Sequence, residues 1–277
     1  MPYGIRAIAE AWRELGHTVT VTTDPHEALA ADAVLPHIDL TVVPPAIRRV
    51  LDRHRLVLNR GLWDISKRLW SANLVRRDDA WPGPVIVKTD LNCGGIPERI
   101  HFARRSRLLR LWRAIALHLP GGDRRWAADL GPYRVYDRVA DVPAAVWRSR
   151  ALIVERFVPE RRGAANVVHF AWLFGDRHIQ LIGERDTPQV KAAASDWGVT
   201  RDPLPAEIWR LCAERGIDYA KIDFTVVDGR VNVLDVNRTP VAAVLTAAHG
   251  DKLRWLAGGL DAAIAARGGL RRDGSSS

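Results

Sequence analysis

Residues 221–240 read KIDFTVVDGRVNVLDVNRTP. Two apolar runs flank Asp228-Gly229, the pattern of a β-hairpin. Asp223 falls on the first strand, Asp235 and Asn237 on the second. Side chains alternate between faces along a strand, so these three odd-numbered residues can share one face if the register allows it. The connection decides that. A two-residue Asp-Gly turn pairs odd with even positions and separates Asp223 from Asp235. A three-residue loop, Val227-Asp228-Gly229, with glycine in the left-handed position, keeps them together. The three-residue loop is favoured, because it yields an all-oxygen cluster of two carboxylates and an amide carbonyl. Such a set suits Mg²⁺, a hard ion commonly held by one or two carboxylates plus substrate phosphates. The alternative is an ordinary amphipathic hairpin with solvated acids.

The 277 residues suffice for one large domain or two to three small ones. At 47% apolar and 26% charged, the chain has the composition of a globular protein with a sizeable core. It has no run of about twenty apolar residues, so no membrane span is expected. The first residues, MPYGIRAIAEAWRELGH, carry charges throughout and lack a signal-peptide apolar core, which makes the cytoplasm the expected compartment. Two cysteines, Cys93 and Cys212, make neither a disulfide framework nor a zinc site, and Cys212 reads as a small core residue. The net charge of +9 is compatible with nucleic acid, an anionic surface or a phosphorylated substrate. The densest basic stretch, residues 104–113, reads as an amphipathic surface helix. Eleven tryptophans at core-like positions argue against a nucleic-acid stacking platform.

Outward from the hairpin, the pattern is α/β followed by α+β. It predicts a helix over 4–16, a strand over 18–23, short strands over 31–35 and 38–43, a helix over 45–54 and an apolar run over 56–59. A layer of this kind normally opens on a strand, so one is expected upstream of the first helix. A second helix is predicted over 64–74, capped by Asp64, and a buried strand over 84–88. A Gly-containing loop follows over 89–95, then the basic helix over about 103–118. Strands are predicted over 151–159, 166–174 and 178–184, then a helix over 204–215, the acidic hairpin, and a helix over about 251–266. Natural boundaries fall at 1–58, 59–150 and 151–270, with residues 271–277 a disordered tail.

Four segments in order, SK of DISKRLW, PVIVKTDLNCGG, ALIVERFVPE and the hairpin ending LDVNRTP, resemble the ATP-grasp superfamily. The resemblance spans roughly residues 59–270, with 1–58 similar to the layer that precedes that fold. It is closest in flavour to the carboxylate–amine ligases of glutathione-synthase and ribosomal-protein-modifying type. It implies an ATP-grasp fold with a small N-terminal α/β layer, with ATP and Mg²⁺ as cofactors. Lys88 and Lys67 would face the phosphates as fixed positive charges. Gly94 and Gly95 would close a backbone loop over them. Glu155, Arg156, Phe157 and Val158 would form the adenine hinge, and Glu160 would accept from the ribose. Asp223, Asp235 and Asn237 match the metal positions. Asp235 departs from the family's more frequent glutamate, which puts bridging of two metal ions in doubt. A second departure is the strand over 166–174, which lacks the arginine many relatives aim at the transferring phosphate. Arg185 or Lys191 would supply that charge, and Arg238 would meet an anionic substrate.

The implied chemistry is activation of a small-molecule or peptide carboxylate as an acyl phosphate, then attack by an amine or similar nucleophile. The acceptor crevice is expected near His37, Asp39 and Thr41, for which local turn capping is the alternative. Two competing readings stay open: an ATP-dependent phosphotransferase on the same scaffold, and a degenerate non-catalytic nucleotide-binding protein. Oligomeric state is not legible.

Overall fold

The computed structural model describes residues 3–103, 133–188, 200–240 and 250–268. The mixed α/β architecture expected from the sequence is built on two antiparallel sheets. The first has three strands in the order β2-β1-β3, from β1 (Val85–Thr89), β2 (Arg134–Tyr136) and β3 (Leu152–Arg156). The second contains β4 (Glu160–Arg162), β5 (Ala165–Phe174), β6 (Arg177–Arg185), β7 (Tyr219–Val227) and β8 (Arg230–Asn237). Its order is β4-β5-β7-β8, with β6 paired to β5. β3 lies in the first sheet, so the change from one sheet to the other falls after Arg156.

The hairpin keeps its acids together by a different device from the one expected. Val227 pairs with Arg230, so the connection is the two-residue turn Asp228-Gly229. Both turn residues have positive φ, 51° and 72°, as a type I′ turn requires. From that turn to Phe224↔Val233 the pairing is odd with even. The register then shifts between Phe224 and Asp223, leaving Leu234 as an extra residue on β8. This β-bulge sets Asp223 opposite Asp235 and Lys221 opposite Asn237.

Each face of the second sheet buries a separate apolar cluster. On one face Phe170, Trp172, Phe174, Leu181 and Tyr219 pack against α1 (Ile5–Glu14) through Ile8 and Trp12, and against α6 (Gly250–Ala257) through Leu253 and Leu256. On the other, Ala171, Leu173, Ile222, Phe224 and Val236 meet Leu62, Ile65 and, from α5 (Ala206–Arg215), Ile208 and Cys212. Full burial of a side chain such as Phe174 contributes about 2 kcal/mol. Cys212 is a core residue, as expected. The predicted closing helix is two, α6 and α7 (Leu260–Ala266), broken at Gly258-Gly259. The break lets the backbone of Gly259 approach the β5–β6 turn so closely that a Cβ there would lie 1.9 Å from the Phe174 carbonyl oxygen.

The N-terminal segment departs most from expectation. α1 and α2 (Pro45–Leu51) form, but residues 18–23 are not a strand. The alternation TVTVTT leaves most of those side chains exposed, and among the described residues no partner strand completes a ladder. The strands predicted over 31–35 and 38–43 reduce to single bridges, Val34↔Val57 (parallel) and Val42↔Asp64. A small core of Val43, Leu51, Val57 and Trp63 lies under them. α1 belongs to the second sheet's core, so residue 58 is not a boundary between packing units. The helix predicted over 64–74 is a short 3₁₀ turn, Lys67–Leu69, because Asp64 caps Ser66 instead of opening a longer helix. Residues 96–103 form α3, α4 is Ala144–Trp147, and the rest of the basic stretch lies outside the described residues.

Candidate active site

Along β7 and β8 the period of two places Lys221, Asp223, Asp235 and Asn237 at the polar end of the face that elsewhere packs on α1 and α6. Lys221 lies between the two Asp223 oxygens, its Nζ at 2.7 Å from Oδ1 and 2.9 Å from Oδ2. The same ammonium stands 5.0 Å from the Phe170 ring centroid and 5.9 Å from that of Trp172, a cation–π placement. Asp235 accepts from Lys67, Nζ to Oδ1 3.0 Å. Lys67 is 5% exposed and also donates to the Leu91 carbonyl at 3.1 Å, which ties it to the Gly-containing loop. From the first sheet, Lys88 Nζ lies 2.6 Å from Glu155 Oε2, both residues buried.

The Tyr133 phenol is pushed up chiefly by burial, and it feels the charges of Lys67, Asp235, Glu155 and Asp223. Burial also raises the Asp223 carboxyl. Lys221 opposes that shift, and Asp235 across the ladder adds to it. For Lys67, burial is the largest single influence and acts to lower the ammonium, but Asp235, Tyr133 and Cys93 together outweigh it and the net direction is upward. Lys67 therefore keeps its charge beside Asp235.

Several expected site residues have other occupations. Arg238 is 1% exposed, and its guanidinium donates to the backbone carbonyls of Ile38, Leu40, Leu62 and Thr41. It clamps the 38–41 segment to the end of β8 and is not available to a substrate. Glu160 accepts from the Val226 amide at 2.6 Å and lies 3.1 Å from His169 Nε2 through either oxygen, which takes up the carboxylate proposed for the ribose. The amides of Arg156 and Phe157 donate to Asn73 and Pro84, and the Arg156 guanidinium lies over Trp81. Those two amides are therefore closed to an adenine edge, leaving Val158 in the loop beyond. Arg185 pairs with Asn166, four residues along β5 from Phe170, the residue opposite Asp223. Its backbone thus stands about 13 Å along the strand from the acids. Lys191 lies outside the described residues.

The loop over Asn92–Gly95 does curl as a backbone cradle would: φ is 45° at Cys93, 68° at Gly94 and 78° at Gly95. Three consecutive left-handed residues need glycine at least twice, and Cys93 carries the strain of the third. The loop is tied to the N-terminal segment by Asn92, whose amide donates to Thr41 Oγ1 at 2.8 Å and whose side chain donates to Asp39 Oδ1 at 3.0 Å. Asp39 also accepts from Tyr3 (2.5 Å) and Thr239 (2.9 Å). Asp39 and Thr41 therefore serve the local capping alternative.

Beside them, burial pushes His37 down to about 4, against the upward pull of Asp39. The unfolded chain then binds a proton near pH 6.5 that the folded chain refuses until about pH 4. Stability is expected to fall as pH drops through that window. Thermal melts of His37→Phe should show a shallower loss between pH 6.5 and 4 than the wild type. Parallel curves would remove His37 as the cause.

Two carboxylates directly opposed on one face fit a single Mg²⁺ shared with phosphate oxygens. Asn237 fits less well, since its Oδ1 already accepts from the Thr239 amide (2.8 Å) and hydroxyl (3.2 Å) as a turn cap. Among the described residues no group of three His, Cys, Asp or Glu could hold a metal. Sequence reasoning missed Lys221 and Tyr133. The Lys-x-Asp spacing on one strand was the available signal for Lys221.

No protein-family profile matches the chain, and no curated protein matches it. Solved structures do. The ATP-grasp ligase PsnB complexed with minimal precursor is 15% identical over 95% of this chain and 94% of its own, with a TM-score of 0.48. A RimK-domain ATP-grasp protein from Sphaerobacter thermophilus DSM 20745 is 14% identical over 94% and 96%, also with a TM-score of 0.48. D-alanine–D-alanine ligase from Bacillus anthracis is 12% identical over 96% and 92%, with a TM-score of 0.44. At these scores the likenesses carry no weight for this chain's chemistry, which rests on its own residues.

Proposed function

We propose that this chain is an ATP-dependent ligase of ATP-grasp type that activates a small-molecule or peptide carboxylate for attack by an amine or similar nucleophile. The observation that supports the reading is the set of three lysine–carboxylate pairs, Lys67–Asp235, Lys88–Glu155 and Lys221–Asp223, two of which meet through the opposed acids Asp223 and Asp235. Phosphoryl transfer asks a protein mainly for positioned positive charge. Lys67 and Lys88 are buried ammonium groups that would bind and orient a triphosphate without rearranging the backbone. Asp223 and Asp235 would hold Mg²⁺, which when bound supplies neutralising charge to the phosphates. The Gly94-Gly95 loop would exclude water from an acyl phosphate, which otherwise hydrolyses. β5 has no arginine on this face, and Lys221 is the cation that stands in its neighbourhood, where Arg185 and Lys191 had been expected.

Release of ADP and phosphate, followed over a panel of carboxylates and amines with Mg²⁺-ATP, tests the reading. A ligase releases phosphate only when both acceptor and amine are present. Phosphate retained on the acceptor would favour the phosphotransferase. Absence of Mg²⁺-ATP binding would leave the degenerate scaffold.

A further inference from the structure

β1 and β2 pair as far as Val87↔Arg134, so the next two positions along that ladder are Lys88 and Tyr133. Alternation, continued by one residue, assigns their face. Val85, Val87 and Tyr136 pack in the apolar cluster of the first sheet with Val139 and Val154. Ile86, Lys88 and Tyr133 therefore belong to the opposite face. Glu155, opposite Ile86 on β3, shares it, and its carboxylate meets Lys88 there at 2.6 Å. The phenol also feels Lys67 and, from the second sheet, Asp223 and Asp235. Among the described residues its hydroxyl has no hydrogen-bond partner. We propose that Tyr133 is a further ligand-contacting residue of this site, its hydroxyl donating a hydrogen bond to the phosphate chain of the nucleotide. The inference rests on the function proposed above and adds a residue to that site.

Position along the ladder favours the phosphates over the base. β1 runs from Val85, which pairs with Arg156 beside the Val158 loop, to Lys88, three residues and about 10 Å away. Tyr133 stands at the Lys88 end, beside the ammonium group that would bind the triphosphate. The charges around it favour a neutral donor. Burial and the carboxylates of Glu155, Asp223 and Asp235 keep the phenol protonated. Each of those carboxylates already has a lysine beside it, Lys88, Lys221 and Lys67 respectively, so the O–H is left over for a ligand. A hydroxyl costs less to enclose than another cation would, and a hydrogen bond to a charged phosphate oxygen is among the stronger kinds.

Tyr133→Phe removes the hydroxyl and keeps the ring. Calorimetry with Mg²⁺ and the non-hydrolysable analogue AMP-PNP should show binding about tenfold weaker than in the wild type, the effect of one lost hydrogen bond to a charged group. Adenosine binding, followed by saturation-transfer NMR, should be the same in both proteins. Melting without nucleotide should also be the same, since the hydroxyl bonds nothing in the free protein. That split between AMP-PNP and adenosine, at unchanged stability, is one that a merely structural tyrosine would not produce. Adenosine binding weakened by the same factor would put the hydroxyl on the nucleoside and overturn the assignment. So would AMP-PNP affinity equal to that of the wild type, which leaves the nucleotide reading standing. If the wild type binds AMP-PNP under no condition, the nucleotide reading fails and this inference with it.

Discussion

Replacing Asp235 by asparagine is expected to abolish Mg²⁺-dependent nucleotide affinity and to destabilise the fold at the same time. The two effects have one origin. Asp235 is the counter-ion of Lys67, at 3.0 Å, and Lys67 is almost wholly enclosed. Removing one member of a buried pair leaves the other charge uncompensated, which costs about 3 kcal/mol. Asparagine keeps the shape, so the loss reports charge and not a cavity. Asp223 alone, already held by Lys221, cannot retain the metal. Calorimetry should show Mg²⁺-dependent ATP affinity reduced at least about 100-fold, and urea denaturation should show the stability loss. The double variant Lys67→Met with Asp235→Leu should recover most of the stability and none of the binding, since well-packed apolar groups commonly replace a buried ion pair without loss. Unchanged Mg²⁺-dependent affinity in Asp235→Asn would remove Asp235 from the site.

Arg238→Met should be the most destabilising single change outside the site. The guanidinium serves the carbonyls of Ile38, Leu40, Thr41 and Leu62 from a residue 1% exposed. The Ile38 and Thr41 carbonyls keep the amides of Leu40 and Ile65 as donors, whereas those of Leu40 and Leu62 lose theirs. Each buried carbonyl left without a donor costs about 1 kcal/mol or more, so about 2 kcal/mol is expected. For a chain of this size that lowers the melting temperature by about 5 °C. Arg238→Lys should rescue little, because one ammonium cannot reproduce the planar fork. If both variants melt with the wild type yet lose activity, the clamp assignment is wrong and Arg238 acts on substrate after all.

The difference between Arg238 and Asp235 illustrates what the sequence could convey. An arginine beside an acidic hairpin reads equally well as a substrate contact or a structural clamp. Only the return of residues 38–41 to β8, some 200 positions apart in sequence, decides between them. The acids themselves were legible, because alternation along a strand is a local rule. Their shared face was inferred correctly through the wrong device. Asp228-Gly229 made the two-residue turn its residue types favour, and the register was restored by a bulge at Leu234 that no local signal marked. The N-terminal strands failed for a related reason. Alternation in TVTVTT signals a ladder only where a partner exists, and the described chain supplies none there. The resemblance marks β5 as the place for a phosphate-facing cation, and this chain has no arginine on that strand. The cation, Lys221, stands on β7, two residues from Asp223, and leans over the rings of Phe170 and Trp172.

A crystal structure with AMP-PNP and Mg²⁺ bound tests the central claim most directly. The account predicts the triphosphate lying among Lys67, Lys88 and Lys221, with the metal against Asp223 and Asp235. A nucleotide bound elsewhere, with the three lysine–carboxylate pairs left as they are, would contradict it.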